Sequence, residues 1–314
     1  MSSTKKNLSK KTLVIMAAGL GSRYGGLKQV DALGPNGEFL IDYTIYDAWQ
    51  TGFTNVVLII RPGLKKEFQA HFANKIFTQP STSLPPIKIQ FSIQKTTDLP
   101  DNLIPPSQRK KPWGTGHALL TARKLVKNPF VVLTADDFYG RSTLQILSQA
   151  LDKMQGQQNF YAMPGSLLIN TLSPSGSVSR GLCRQNDENC LISIHEHTNI
   201  VQKNNQILSI DKTGTEHILE PDRLVSMAIF AFTPEFFDYL NQEFKLFLQD
   251  NLNDLKMEFF TPNVVNNLIH ENKVKMKIYP TTSPWFGLTN PDDRQIAVKK
   301  IQQLIKDGQY PSKI

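Results

Sequence analysis

A glycine-rich segment near the N-terminus carries the residues best suited to chemistry. In residues 13–29, LVIMAAGLGSRYGGLKQ, a short apolar run precedes four glycines within eight residues, with Arg23 and Lys28 among them. Glycine permits positive φ and lets ligand oxygens approach main-chain N–H groups. A pair of cations in such a loop suits a polyphosphate. The segment therefore predicts a phosphate-binding loop that follows a strand.

Two familiar phosphate-binding templates do not match this loop. A dinucleotide-binding loop requires G-x-G-x-x-G, and Tyr24 occupies the third glycine position after Gly19 and Gly21. A P-loop requires lysine directly after its second glycine, but Leu27 follows Gly26. The alternative interpretation is an ordinary strand-to-helix turn, and four glycines with two cations favour phosphate binding over it.

Composition limits the class of protein. The 314 residues carry a net charge of +8, and 40% of them are hydrophobic, as in a soluble globular protein. No apolar run approaches the roughly 20 residues of a membrane span, and we expect a cytoplasmic location. Cys183 and Cys190 show no metal-ligand spacing. The charge suits anionic small ligands, and no nucleic-acid-binding motif is visible. The oligomeric state stays open, and a homo-oligomer is compatible with the sequence.

Strand and helix patterns alternate in the first half, which predicts an α/β fold with a mainly parallel central sheet and helices on both faces. We expect a basic flexible tail over 1–11 and a single domain over 12–314. Its nucleotide-binding half covers 12–160, and a mixed second half covers 161–314. Strands are predicted at 13–16, 55–60, 87–93, 130–133, 178–183, 190–196, 224–232 and 273–279. Helices are predicted at 42–51, 64–72 and 115–126, and after Ser142, Pro234, Pro262 and Asn290.

Several candidate residues follow predicted strands. The glycine loop, Gln94 and Asp136 each come directly after a strand of the first half. In sheets of this kind, ligands bind beyond the carboxyl ends of the strands. Three independent features at one edge predict a binding site there.

Six segments of the chain together carry a resemblance to a known family. They are AAGLGSRYGGLKQ (17–29), KPWGTGHAL (111–119), VVLTADDFYG (131–140), VSRGLC (178–183), ISIHEHTNI (192–200) and PWFGLTNPDD (284–293). These segments resemble those of the sugar-phosphate nucleotidylyltransferases, with a uridylyltransferase-like bacterial branch as the nearest likeness. The resemblance implies their three-layer, Rossmann-like α/β/α fold and a transfer from a nucleoside triphosphate, first of all UTP, to a sugar 1-phosphate.

The resemblance also implies roles for individual residues. Arg23 and Lys28 become the catalytic cations, and Mg²⁺ binds Asp136, with Asp137 as the alternative ligand. The residues expected at the nucleotide are Ala18, Gly19, Gly21, Gln94, Gly114 and Thr115. Those expected at the sugar phosphate are Gly181, Glu196 and His197. Thr115 is also a candidate helix N-cap.

Two departures from the family pattern leave alternatives open. His197 stands where many members have lysine, and a neutral imidazole cannot replace a permanent cation. Gly287 stands where relatives often have a second metal-binding aspartate. Asn290 or Thr289 could supply an oxygen instead, although Asn-Pro-Asp-Asp favours a helix N-cap at Asn290. The alternatives are transfer to phosphocholine or another phosphorylated alcohol, and a weakened nucleotide- or sugar-binding protein.

Overall fold

The structure is a computed structural model, and it describes residues 10–19, 28–79, 84–174, 176–211 and 213–314. Its strands are β1 (Thr12–Ala17), β2 (Asn55–Ile60), β3 (Lys88–Ile93), β4 (Phe130–Thr134), β5 (Asp137–Phe138), β6 (Phe160–Leu167), β7 (Val178–Gln185), β8 (Leu191–Lys203), β9 (Gln206–Ile210), β10 (Glu216–Leu219), β11 (Leu224–Ser226), β12 (Phe230–Phe232), β13 (Lys275–Thr281) and β14 (Phe286–Gly287). Its α-helices are α1 (Leu40–Gln50), α2 (Lys65–Phe72), α3 (Thr115–Thr121), α4 (Arg141–Met154), α5 (Phe236–Asn251), α6 (Thr261–His270) and α7 (Asp293–Lys306).

One large mixed sheet organises the molecule. Within the described ranges its strand order is β10-β9-β8-β7-β11-β6-β12-β4-β1-β2-β3, with β13 parallel to β6, while β5 and β14 pair separately. Strands β3, β2, β1 and β4 are mutually parallel and form the core of the first half. Strands β7 to β10 extend the sheet as antiparallel neighbours. This is the predicted Rossmann-like α/β fold with a mixed second half.

The central strands are apolar along their whole length because both faces of the sheet are covered. In β1, Leu13, Val14 and Ile15 are fully buried on consecutive positions. A strand that faced solvent on one side would instead alternate apolar and polar residues. Helix α4 packs on α1 and on β6, and α3 packs on α5 and on β1. None of the helices in these ranges is long and apolar enough to cross a membrane.

The predicted strands of the first half agree with the structure, and the second half needs corrections. The run 224–232 is two strands, because Ala228 has a φ of 56° and interrupts the extended chain. The sequence patterns did not predict β5, β6, β9, β10 or β14. Helix α3 ends at Thr121 and does not reach Val126. At the N-terminus, Lys11 Nζ donates to Ser148 Oγ at 2.9 Å, so this residue is attached to α4 and is not part of a flexible tail.

Two predicted helix caps were wrong. Gly114 is the N-cap of α3, and Thr115 is its first residue. The Thr115 hydroxyl oxygen instead accepts a hydrogen bond from the Thr261 N–H at 3.0 Å, at the start of α6. Helix α7 begins at Asp293, whose carboxylate accepts from the N–H of Asn290 at 2.7 Å, so Asn290 lies in the preceding turn.

Candidate active site

The carboxyl ends of β1, β3 and β4 border a cleft with a volume of about 300 Å³. Seven of the predicted site residues line it, although they are far apart in the sequence. They are Ala18, Gly19, Lys28, Gln94, Gly114, Thr115 and Asp136. The remaining nucleotide-site predictions, Gly21 and Arg23, lie outside the described residues. The shared edge of parallel strands thus brings the candidates together, as such sheets do for their ligands.

A buried glutamine, Gln29, contacts Gly19 at the start of the glycine-rich segment. Gln29 Nε2 donates to the Gly19 carbonyl oxygen at 3.1 Å, and only 4% of Gln29 is exposed. Gln29 Oε1 is buried without a partner among the described residues. The contact ties the first residues after β1 to the 3₁₀ turn at 28–30 that carries Lys28.

Lys28 and Asp136 form an ion pair in the lining of the cleft. Lys28 Nζ binds the Asp136 carboxylate and also donates to the Leu288 carbonyl oxygen at 3.0 Å. The side chains are only 15% and 28% exposed, respectively. Charges that are partly withdrawn from water interact more strongly than charges on the surface. The pair therefore places a held cation beside a carboxylate at the end of β4.

The neighbouring carboxylate, Asp137, is directed into the protein and not into the cleft. Asp137 Oδ2 accepts a hydrogen bond from Thr134 Oγ1 at 2.8 Å. Burial raises the pKa of Asp137, and the adjacent charge of Asp136 raises it further. Asp136 lies in the turn between β4 and β5 and lines the cleft, whereas Asp137 begins β5 and does not line it.

The space around Asp137 explains why a glycine occupies position 287. Gly287 pairs with Asp137 between β14 and β5. A Cβ atom on Gly287 would lie 2.3 Å from Asp137 Oδ1 and 2.9 Å from the Trp285 ring. An aspartate at 287 is therefore excluded as long as the Asp137 carboxylate keeps its position. Asn290 and Thr289, the other candidates for an oxygen ligand, do not line the cleft but a separate cavity beside β14.

The other end of the cleft is built around Gln94, which follows β3 and is 7% exposed. Its Nε2 donates to the Gly114 carbonyl oxygen at 3.2 Å and lies 3.1 Å from His117 Nδ1. His117 belongs to the segment GTGHAL and lies three positions after Gly114, on the first turn of α3. The sequence analysis predicted no role for it. The contact joins β3 to the start of α3 and encloses this end of the cleft.

Gly114 supports this end of the cleft through its backbone conformation. Its φ is 94°, and a Cβ atom there would lie 2.6 Å from the Phe259 carbonyl oxygen and 2.8 Å from Phe259 N. We expect Gly114→Ala to lower the free energy of unfolding by about 3 kcal/mol, from backbone strain plus a steric clash. Gly37 is the matched control, since its φ is 82° but nothing lies within 4 Å of its Cβ position. Gly37→Ala should cost about 1 kcal/mol. Equal losses in urea unfolding would contradict the role of the clash.

The predicted acceptor residues lie on the β7–β8 pair, outside this cleft. Gly181 is paired with Glu196, and a Cβ on Gly181 would come within 2.5 Å of Ile194 Cγ2 and 3.7 Å of Glu196 Oε2. A larger residue at 181 would therefore displace Ile194 and crowd Glu196. Burial raises the pKa of Glu196, and the charge of Arg180 opposes that rise. The arrangement leaves a carboxylate beside a glycine on one face of the sheet.

His197 is not a permanent cation in this environment. Its Nδ1 lies 3.2 Å from Ser209 Oγ. Burial lowers the pKa of His197, and so do the charges of His217, His195 and Arg223. The neutral imidazole is therefore favoured near neutral pH, and the lysine that many family members carry has no equivalent at this position.

Arg180 is a cation that sequence reasoning missed. It is paired with His197 across β7 and β8 and is only 9% exposed. Its guanidinium carbon lies 4.3 Å from the centre of the Trp285 ring, and the charges of Asp137 and Glu196 both act on it. Arg180 therefore projects from β7 near the carboxylates of Asp137 and Glu196. Its position directly before Gly181 was the available sequence signal.

The fold, with a lysine and a carboxylate in a cleft at its strand ends, suits the binding of a nucleotide. A sequence model of the family described as nucleotidyl transferase matches residues 12–166. A UTP–glucose-1-phosphate uridylyltransferase of Staphylococcus haemolyticus (strain JCSC1435) is 25% identical over 244 residues, which cover 74% of this chain and 75% of that protein. Both matches confirm the resemblance of this chain to the sugar-phosphate nucleotidylyltransferases.

Solved structures show the same fold at low sequence identity. A UDP-glucose pyrophosphorylase in complex with UDP-glucose matches with a TM-score of 0.57 at 15% identity, over 94% of this chain and 99% of that chain. The inositol-1-phosphate CTP transferase from T. maritima matches with a TM-score of 0.58 at 12% identity, over 94% and 97% of the two chains. These similarities support the fold. The substrates must be inferred from the residues of the site.

Proposed function

We propose that this enzyme joins a nucleoside triphosphate, first of all UTP, to a sugar 1-phosphate and releases pyrophosphate. The observation that carries the proposal is the Lys28–Asp136 pair, which faces the same cleft as Gln94 and Gly114. Charge-handling groups and a pocket suited to a base thus lie at the two ends of one cleft. This is the arrangement needed to hold a nucleotide by its base and its phosphates.

The chemistry explains why the cleft is built from charges and main-chain groups. The second pKa of a phosphate monoester is about 6, so the attacking oxygen of a sugar 1-phosphate is already anionic near neutrality. No general base is needed, and the barrier lies in bringing anions together in line. Lys28 would neutralise charge at the α-phosphate, and Arg23 would do so at the leaving pyrophosphate.

Magnesium fits the residues of the cleft as a substrate-bridging ion. Mg²⁺ is usually held by one or two carboxylates and completed by phosphate oxygens and water. Asp136 offers one carboxylate that lines the cleft, and among the described residues no group of three acidic, histidine or cysteine side chains forms a metal cage. When bound there, Mg²⁺ would supply charge neutralisation to the phosphates.

The acceptor side is proposed on the β7–β8 strands. Glu196, which is paired with Gly181, would accept hydrogen bonds from sugar hydroxyls. Arg180 would supply the permanent positive charge that His197 does not carry, because arginine stays protonated even where burial lowers its pKa. The guanidinium of Arg180 is held by the carbonyl oxygens of Ser179 and Thr171, to which it donates. The charges of Asp137 and Glu196 favour its protonated form.

A pyrophosphate-release assay tests the proposal directly. We expect turnover with UTP and a hexose 1-phosphate, and no release when either substrate is omitted. The panel should contain each nucleoside triphosphate, several sugar 1-phosphates and phosphocholine. Release with phosphocholine and CTP alone would identify a different acceptor class. Nucleotide binding without release for any pair would identify a weakened binding protein and overturn the proposal.

A further inference from the structure

A buried histidine lies directly behind the glutamine of the base end. His117 is 2% exposed, and its Nε2 lies 2.8 Å from the Asp98 carbonyl oxygen. A carbonyl oxygen can only accept, so Nε2 must carry the ring proton. Burial lowers the pKa of His117, which favours the neutral ring. Nδ1 of that ring has a lone pair and acts as a hydrogen-bond acceptor.

This acceptor determines how the Gln94 amide is oriented. Gln94 Nε2 lies 3.1 Å from His117 Nδ1 and 3.2 Å from the Gly114 carbonyl oxygen. Both partners accept, so both amide hydrogens of Gln94 are used. A flipped amide would set Oε1 against two lone-pair atoms and would lose both hydrogen bonds. Gln94 can therefore present only Oε1, an acceptor, to a ligand in the cleft.

Donor groups lie next to this acceptor. Thr115 is the first residue of α3, and the first N–H groups of a helix have no partner within the helix. Thr115 and Gly114 both line the cleft with Gln94. In the described part of the chain, neither of their N–H groups donates to another main-chain oxygen. An acceptor beside two donors is complementary to an imide edge, in which an N–H lies between carbonyl oxygens.

We propose that His117 is a positioning residue that holds Gln94 as an obligate acceptor, so that the site prefers a base with an imide edge to cytosine. Uracil and thymine donate from their N3–H at this edge. Cytosine carries a lone pair on N3, which would face Gln94 Oε1. This inference rests on the proposed function, which places a nucleotide in the cleft. It attributes the preference for uracil or thymine over cytosine to His117, which lies behind Gln94 and does not contact the base itself.

Two isosteric variants separate the two hydrogen bonds of His117. In His117→Asn, the side-chain oxygen takes the place of Nδ1, so the acceptor that faces Gln94 is kept. In His117→Gln, the amide nitrogen takes the place of Nε2, so the donor to Asp98 is kept and the acceptor is lost. A purely structural role would make the two variants similar, whereas the proposal makes them different.

The quantity to measure is the ratio of kcat/KM for UTP to that for CTP. We expect wild type and His117→Asn to share a strong preference for UTP. We expect His117→Gln to lose roughly tenfold of that preference, mainly through KM, because one hydrogen bond orients a group that contacts the bound nucleotide. An unchanged ratio in His117→Gln, or a wild-type preference for CTP, would overturn the inference.

Two further measurements keep the test decisive. Equilibrium binding of UTP and CTP to each variant gives the same ratio without turnover, so an inactive wild type would refute the proposed function but would still test His117. Gln94→Met, which removes the amide, should bring the ratio close to one even if His117→Gln fails to fold. A ratio that stays at the wild-type value in Gln94→Met would also refute the inference.

Discussion

Asp136→Asn should lower kcat by roughly a thousandfold while leaving the fold intact, because it removes the carboxylate proposed to hold Mg²⁺ against the phosphates. The amide keeps the size of the side chain and can still contact Lys28 and the cleft. Pyrophosphate release at increasing Mg²⁺ should show a weakened dependence on the ion. Binding of Mn²⁺ in the presence of UTP, followed by paramagnetic resonance, should weaken in parallel.

Asp137→Asn is the matched comparison, since the two residues are adjacent but differently directed. Asp137 is held by Thr134 inside the protein, so its substitution should affect stability more than ion binding. The assignment of the metal ligand would be wrong if Asp137→Asn abolished Mn²⁺ binding and Asp136→Asn did not.

Lys28→Met should reduce kcat/KM by about a hundredfold to a thousandfold, the usual effect of removing one preorganised charge from a transition state. Lys28→Arg should recover only part of the loss. The ammonium of Lys28 contacts the Asp136 carboxylate and the Leu288 carbonyl oxygen together, and a planar guanidinium does not reproduce that geometry. Steady-state kinetics with UTP and the best sugar 1-phosphate measure both effects.

Lys111 is the control for Lys28, because it also lines the cleft but is 45% exposed and paired with Glu258. Lys111→Met should change kcat/KM by less than about tenfold, since exposed ion pairs contribute little. A loss in Lys111→Met equal to that in Lys28→Met would show that general positive charge, and not the held position of Lys28, drives the reaction.

The sequence predicted the parts of the molecule that follow from local patterns. Apolar runs located the parallel strands, and parallel strands bring their carboxyl ends to one edge. Lys28, Gln94 and Asp136 therefore came together as expected without any knowledge of side-chain contacts. Their catalytic and binding roles stay predictions that the variants above test.

The parts that were missed depend on partners distant in the sequence. The Thr115 hydroxyl accepts from the N–H of Thr261, which no local capping rule could indicate. The importance of Arg180 follows from its neighbours Asp137, Glu196 and Trp285, which lie on other strands and on a late loop. The role of His117 depends on its contacts with Asp98 and Gln94, which only the folded chain brings next to it.

The contact between Gly287 and Asp137 has a consequence for how sequences in this family can vary. The space that an aspartate side chain would need at 287 is already filled by the Asp137 carboxylate. A larger residue at 287 would therefore require the Asp137 carboxylate to move, so the residues at the two positions should depend on each other. In an alignment of relatives, the residues at 137 and 287 should change together. The glycine at 287 is therefore better explained by the space that the Asp137 carboxylate fills than by the loss of a metal-binding carboxylate.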